Sequence, residues 1–455
     1  MRIIRNYIIF VIAMAVFATI QAQEDPRNVI WVHGLDGDDT SWEYYEQIFT
    51  NERLMNGHRP NYNTDNGIDY GSNHLRSLIN NQLGETAFNN RNIGIGHSMG
   101  GLVSRNLDRM FNSNNNFGGI ITVTTPNYGA QIANSLLDGS VESAASHALD
   151  ELSAGPIAQS LPAWIIGGIS FGPQVGFTPA FIADLVKMQI DINGEIQSFA
   201  GTPTTNNELQ VGSSKINQIN NYQSELPHIS MWASEQSSSH WRLFGSRISE
   251  SLDPDINDQV FVDYMNQAQE IYEGFHDLHH ALGVSNSLAG IFNPLSWITA
   301  AFHFNLAEKW DKGNAWIGNS ESTWNSLIGA YEEEEQLVFY SVLDCQENDD
   351  DNNYDNGELI PDAGQIIPDP EETACRWKIL SYNTTVLINH PSDGLIAKPS
   401  QILEGLPPGN IYKVENTNHF SVRNPGFKED EVDYTYEEFI KIWGREDYFK
   451  TNRKD

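Results

Sequence analysis

Six consecutive residues, Gly96-His97-Ser98-Met99-Gly100-Gly101, restrict the architecture more than any other stretch of the chain. An apolar run from Asn92 to His97 precedes the serine, and apolar residues recur at helical spacing from Gly101 to Phe111. A serine at a sharp strand-to-helix turn needs neighbours without β-carbons, because the reversing backbone leaves no room for them. The turn then exposes the hydroxyl at a helix N-terminus, where amide groups stabilise developing negative charge. Two further apolar runs, Asn28 to His33 and Gly119 to Thr124, suit buried parallel strands, and Gly71 to Leu83 has helical spacing between the first two strands. Strand, helix, strand, helix, strand predicts an α/β fold: a mostly parallel sheet flanked by crossover helices.

A serine hydroxyl is a weak nucleophile unless a base takes its proton, and the base needs a carboxylate to orient it. Both are expected later in the chain, at the ends of sheet strands. Thr384 to Asn389 reads as a strand, and Asp393 stands in the turn beyond it; Ile411 to Glu415 reads as another, followed by His419. The order Ser98, Asp393, His419 is the one expected of this architecture. The base must be neutral to work, so activity should fall on the acid side of an ordinary histidine pKa, about 6.5.

At these residues the chain resembles the secreted lipases and esterases of the α/β-hydrolase superfamily, and is most similar to bacterial triacylglycerol lipases. The similarity rests on His33-Gly34-Leu35, on Gly96 to Gly101, on Thr125-Pro126-Asn127-Tyr128-Gly129-Ala130 and on Ser392-Asp393-Gly394-Leu395-Ile396, with a fainter match from Leu209 to Asn220. It covers about residues 26–135 and 376–425, and faintly 205–235. The resemblance implies an α/β-hydrolase fold with a large lid or cap insertion. It implies Ser98 as nucleophile on an elbow formed by Gly96, His97 and Gly100, and Asp393 orienting His419. The amides of Leu35 and Met99 would form the oxyanion hole. Three departures stand out. Asn127 occupies a place usually held by His. No Asp follows His419, so a calcium site found in some relatives does not carry over. The run His228 to Glu235 looks like the strand that ordinarily leads into the acid, which makes Glu235 a second candidate and places a large insertion after it.

The expected organisation is therefore a signal peptide over 1–22, a first part of the core over 26–235 with an apolar lid segment at about 131–205, an insertion over 236–380, and a second part of the core over 381–455. Arg2 and Arg5 precede the uncharged run Tyr7 to Ile20, Ala22 offers a small residue for cleavage, and no Cys stands there to carry a lipid. Export, to the extracellular space or periplasm, is expected, with no membrane span left after cleavage. In an oxidising compartment Cys345 and Cys375, the two cysteines of the chain, are expected to bridge. The acidic loop between them fails the EF-hand template, since Gly357 at its sixth position would put Tyr354 at the third. A looser set, Asp351, Asn353, Asp355 and Asp362, could hold a structural Ca²⁺; the chemistry itself requires no cofactor.

Leu152 to Ala183 and Ala281 to Ala307 contain no Asp, Glu, Lys or Arg, and both are broken by Pro or Gly. They read as core or as cover over an apolar cleft. His276, His279 and His280 fall on a helical stretch without the glutamate of a zinc motif, and are expected to be packed or at the surface. Trp310, Trp316 and Trp324 are expected in the core of the insertion. With 26 Lys and Arg against 60 Asp and Glu, a net charge of −34 makes nucleic acid and anionic bilayers poor partners. Three readings result: a secreted hydrolase of carboxylic esters acting on lipids with medium or long acyl chains, an acyltransferase using the same serine, or a binding protein on a hydrolase scaffold. Oligomeric state is not legible.

Overall fold

A computed structural model describes residues 28–53, 55–88, 92–112, 116–144, 146–147, 150–151, 202–251, 257–289, 294–346, 374–428, 432–443 and 445. The expected signal peptide, the uncharged segment 152–183, and Asp351, Asn353, Asp355 and Asp362 lie outside the described residues. The described residues form two compact units, one built from the chain up to Ala330 and from His390 onward, the other from Tyr331–Asn389.

In the first unit, six parallel strands form one sheet: β1 (Asn28–Val32), β2 (Asn56–His58), β3 (Ile93–His97), β4 (Gly119–Val123), β5 (His228–Ser234) and, numbered after two strands of the other unit, β8 (Ile411–Glu415). Their order is β2-β1-β3-β4-β5-β8. Helices α1 (Glu43–Arg53), α2 (Ile68–Leu83), α3 (Met99–Phe111), α4 (Gln131–Leu137), α5 (Pro203–Leu209) and α6 (Ser214–Asn220) fall between the first five strands. Alternate side chains of each strand enter different cores. Ile30 and Val32 pack with Leu102, Val103 and Leu107 of α3, whereas Val29 and Trp31 pack with Trp42, Phe49 and Phe439. That is why these strands read as continuous apolar runs: both faces are covered.

After β5 come α7 (Ser239–Ser251) and two long helices, α8 (Asp258–Ala289) and α9 (Pro294–Leu327). The uncharged stretch expected over 281–307 thus divides between the end of α8 and the start of α9. Trp310 and Trp324 are buried and Trp316 packs against the same cluster, which also holds Ile30 and Val32 of the sheet. Among the described residues no helix is long and apolar enough to cross a membrane. One turn of helix, α10 (Lys398–Gln401), and a last helix, α11 (Tyr434–Trp443), complete this unit.

The second unit is an antiparallel hairpin of β6 (Tyr331–Gln346) and β7 (Ala374–Asn389). Here the structure departs from the sequence reading. Thr384 to Asn389 is a strand, but it pairs with β6 and not with the parallel sheet, so the core resumes after Asn389 and not at 381. The physical reason is period: a two-sided ribbon and a half-buried strand share the same alternation, and only the pairing tells them apart. The register sets Cys345 opposite Cys375.

Candidate active site

Ser98 joins β3 to α3 with φ 53° and ψ −129°, a conformation that residues with a β-carbon rarely adopt. Its N–H donates to the Val123 carbonyl at 3.0 Å, and its carbonyl accepts from the Gly101 N–H at 3.1 Å, so both ends of the turn are pinned. The glycines are required by space. A β-carbon on Gly96 would lie 2.5 Å from the Gly101 nitrogen, and one on Gly100 only 2.3 Å from the His33 carbonyl oxygen. At Gly101 the obstacle is the Thr125 hydroxyl, 2.0 Å away. Thus β1, β3, α3 and the Thr125 loop meet at one point around the serine.

Ser98 and His419 line one cavity of about 240 Å³, together with Leu35, Met99, Phe420 and Arg423. His419 follows β8, and its Nδ1 lies 2.7 Å from Asp393 Oδ2, with both residues buried. The carboxylate is held in turn. Asp393 Oδ1 accepts from the Leu395 and Ile396 N–H groups at 3.0 and 2.7 Å, and the Asp393 carbonyl accepts from the His419 N–H at 2.8 Å. Glu235, the second candidate acid, is not the partner of His419. It follows β5 and accepts from the Asn418 amide at 3.3 Å, and burial lifts its pKa to about 7.

His97, the residue before the serine, has a part that the motif alone does not disclose. Its Nε2 donates to the His419 carbonyl at 2.8 Å, and the two rings lie 4.6 Å apart. Burial, and then the neighbouring His419, holds its pKa well below the ordinary value, so it stays a neutral donor. His33 is likewise kept neutral, its pKa lowered to about 4 chiefly by burial. It stacks on Tyr62, whose hydroxyl donates to the His33 carbonyl at 2.8 Å. Asn127, where similar enzymes have His, accepts from Arg105 Nη1 at 2.9 Å and donates to the Gln401 carbonyl at 2.8 Å, so it ties α3 to α10.

The lining is two-sided. Pro126, Ala130, Ile132, Ala133, Leu136 and Leu209 make an apolar wall, while Asp36, Asp38, Arg247, Glu250 and Arg423 make a charged one. Of the three histidines on α8, His279 is buried and its Nδ1 lies 3.1 Å from Nδ1 of His303 on α9, whereas His276 and His280 are not buried. Among the described residues no three His, Cys, Asp or Glu stand together as a metal site.

Residues 23–135 match the family described as "Putative serine esterase (DUF676)". No curated protein matches the chain. Among solved structures it is similar to an extracellular alpha/beta-hydrolase from a Paenibacillus species, 13% identical over 45% of this chain and 77% of that one, with a TM-score of 0.26. It is also similar to phospholipase PlaB from Legionella pneumophila, at 14% identity, 46% and 40% coverage and a TM-score of 0.29. For Bacillus licheniformis lipase BlEst2 in mature form the figures are 15%, 50%, 74% and 0.30. The parallel sheet, its crossovers and its strand-end turns give this chain the α/β-hydrolase fold, and the part that carries Ser98 is similar to a family of serine esterases.

Proposed function

We propose that the protein is a secreted serine hydrolase of carboxylic esters with medium or long acyl chains. The observation that carries this reading is the contact of His419 Nδ1 with buried Asp393 Oδ2, in the cavity that Ser98 enters from a strained turn. His419 Nε2 accepts the Ser98 proton as Oγ attacks the ester carbon. Asp393 keeps Nδ1 protonated and stabilises the imidazolium. Negative charge on the former carbonyl oxygen is met by the amides of Leu35 and Met99. Collapse of the adduct expels the alcohol, which takes its proton from His419 and leaves an acyl group on Ser98. Water then repeats the attack, giving up its proton to His419, which passes it to Ser98 Oγ as the acid is released.

The apolar wall supports an acyl chain, since each methylene it covers contributes about 0.8 kcal/mol. Ser98→Ala should lower ester cleavage by about three orders of magnitude or more without loss of fold, and should end labelling by a fluorophosphonate. A panel of 4-nitrophenyl esters from acetyl to palmitoyl tests chain length. Fastest turnover of the acetyl ester, with no gain on emulsions, would make the protein an esterase of small soluble substrates. An acyl group passed to added alcohols in preference to water would make it an acyltransferase.

A further inference from the structure

The turns bearing Leu35 and His419 grow out of the sheet and the turn bearing Asp393 does not, yet each is fastened by a helix inserted after β5. Trp324 of α9 donates its indole N–H to the Gly394 carbonyl at 2.6 Å, beside Asp393. Asn418, beside His419, donates its amide to Ser246 Oγ of α7 at 2.9 Å. Arg247 of α7 reaches the third turn, Gly34 to Gly37, where its Nη2 lies 3.0 Å from Asp36 Oδ2.

That third turn closes by the Gly37 N–H donating to the Gly34 carbonyl at 3.2 Å, and the Asp36 N–H donates to Thr64 Oγ1 at 3.4 Å. It also holds Asp36 at φ 54°, left-handed backbone that aspartate enters more readily than most residues but less freely than glycine. Arg247 does not act alone. Its Nη1 lies 3.2 Å from Glu250, and Glu250 accepts from Arg423 Nη2 at 2.9 Å. Both guanidinium groups lie over the Phe420 ring, at 5.5 and 5.6 Å. A line of alternating charge, Asp36, Arg247, Glu250, Arg423, thus runs along α7 from the turn bearing Leu35 to the turn bearing His419. Its outer end is the Asp36 side chain, 56% exposed, while Arg247 is 14% exposed.

We infer that Arg247 is a positioning residue: it holds the Gly34–Gly37 turn, and with it the Leu35 amide, in fixed relation to His419. Its effect on rate rests on the ester-hydrolase reading; its effect on the turn does not. The test uses the full chain and four variants: Asp36→Asn, Arg247→Gln, the two combined, and Arg247→Lys. With 4-nitrophenyl butyrate, each single variant should lower kcat about tenfold, less than the loss of a whole oxyanion donor, and move KM less than about twofold. The double variant should be no worse than the singles, because either change already breaks the contact. Lysine should restore part of kcat. Raising salt from about 0.05 to 0.5 M should slow the parent and leave Asp36→Asn nearly unaffected, since a partly exposed pair is screened. Hydrogen exchange at Leu35 to Gly37 should quicken in the single variants while exchange in β3 does not. Effects that add in the double variant, a change confined to KM, or unaltered exchange in the turn would each overturn the inference. If the parent cleaves no ester, the exchange measurement decides the matter alone.

Discussion

Ser98, His33, Gly96, Gly100 and Gly101 share one volume, and exclusion sets their identities more than attraction does. Gly100 gives the sharpest case, because its missing β-carbon would meet two backbone carbonyls, His33 at 2.3 Å and Val32 at 2.5 Å. Backbone cannot swing aside as a flexible side chain can. Gly100→Ala should therefore destabilise the fold by about 2–3 kcal/mol, read from the urea midpoint, and should displace the Gly34 turn as well. An unchanged midpoint would mean that β1 and α3 part more easily than their packing implies. At this scale the sequence was informative wherever the chemistry is local. The glycines around Ser98, the turn at Asp393 and the histidine after a short strand are visible as pattern. The remote partners of His97 and Trp324, and the parts of Asn418 and Arg247, were not, because each acts through a residue distant in sequence.

The strands of the sheet were legible because covered strands leave apolar runs. Edge strand β2 was not, since Asn56-Gly57-His58 has no apolar signal and forms only where β1 offers it a partner. In the hairpin of β6 and β7, strand character was visible only over Thr384 to Asn389, and its partnership was not. Its register now gives the cysteine expectation a definite geometry. Residues directly opposite in an antiparallel pair have Cα atoms about 4.5–5.5 Å apart, within the span that a disulfide bridges. A Cys345–Cys375 bond would remove about 3–4 kcal/mol of entropy from the unfolded chain. Reduction should accordingly speed proteolysis within residues 331–389 and leave ester cleavage unaltered; mass mapping that finds two free thiols would exclude the bond. Helix α8 offers a test of the opposite sign. Gly274 lies in its interior, exposed, and a β-carbon there would meet nothing within 4 Å. Gly274→Ala should stabilise the protein by about 0.5–1 kcal/mol, read as a rise in melting temperature.

Across the whole molecule, the buried histidines set the response to acid. Burial lowers His33, His228 and His279 to about 4 and His240 to about 3, from 6.5 in the absence of the fold. Between those values the unfolded chain binds protons that the folded chain refuses. Stability is thus full above about pH 6.5 and is lost as pH falls towards 4, on the order of 3 kcal/mol for each of His33, His228 and His240. Glu235 works in the other direction. Burial raises it from 4.5 to about 7, so its contribution is present below 4.5 and lost as pH rises through 7. His97, also held well below 6.5, acts with these four and together they outweigh Glu235, so the melting temperature should drop between pH 7.5 and 5. A flat profile over that range would show that these imidazoles reach solvent.

The sheet also sets the order in which the chemistry comes into being. Ser98 and its elbow need only β1, β3, β4 and α3, all within the first third of the chain. Asp393 stands 295 positions further on, and His419 waits for β8 to add beside β5, in a register that sets Ser234 against Glu415. Closing so long a loop follows the folding of whatever precedes it. A growing chain therefore holds Ser98 apart from His419 until β8 has joined the sheet. On the proposed reading, products that stop before His419 would be inert toward esters.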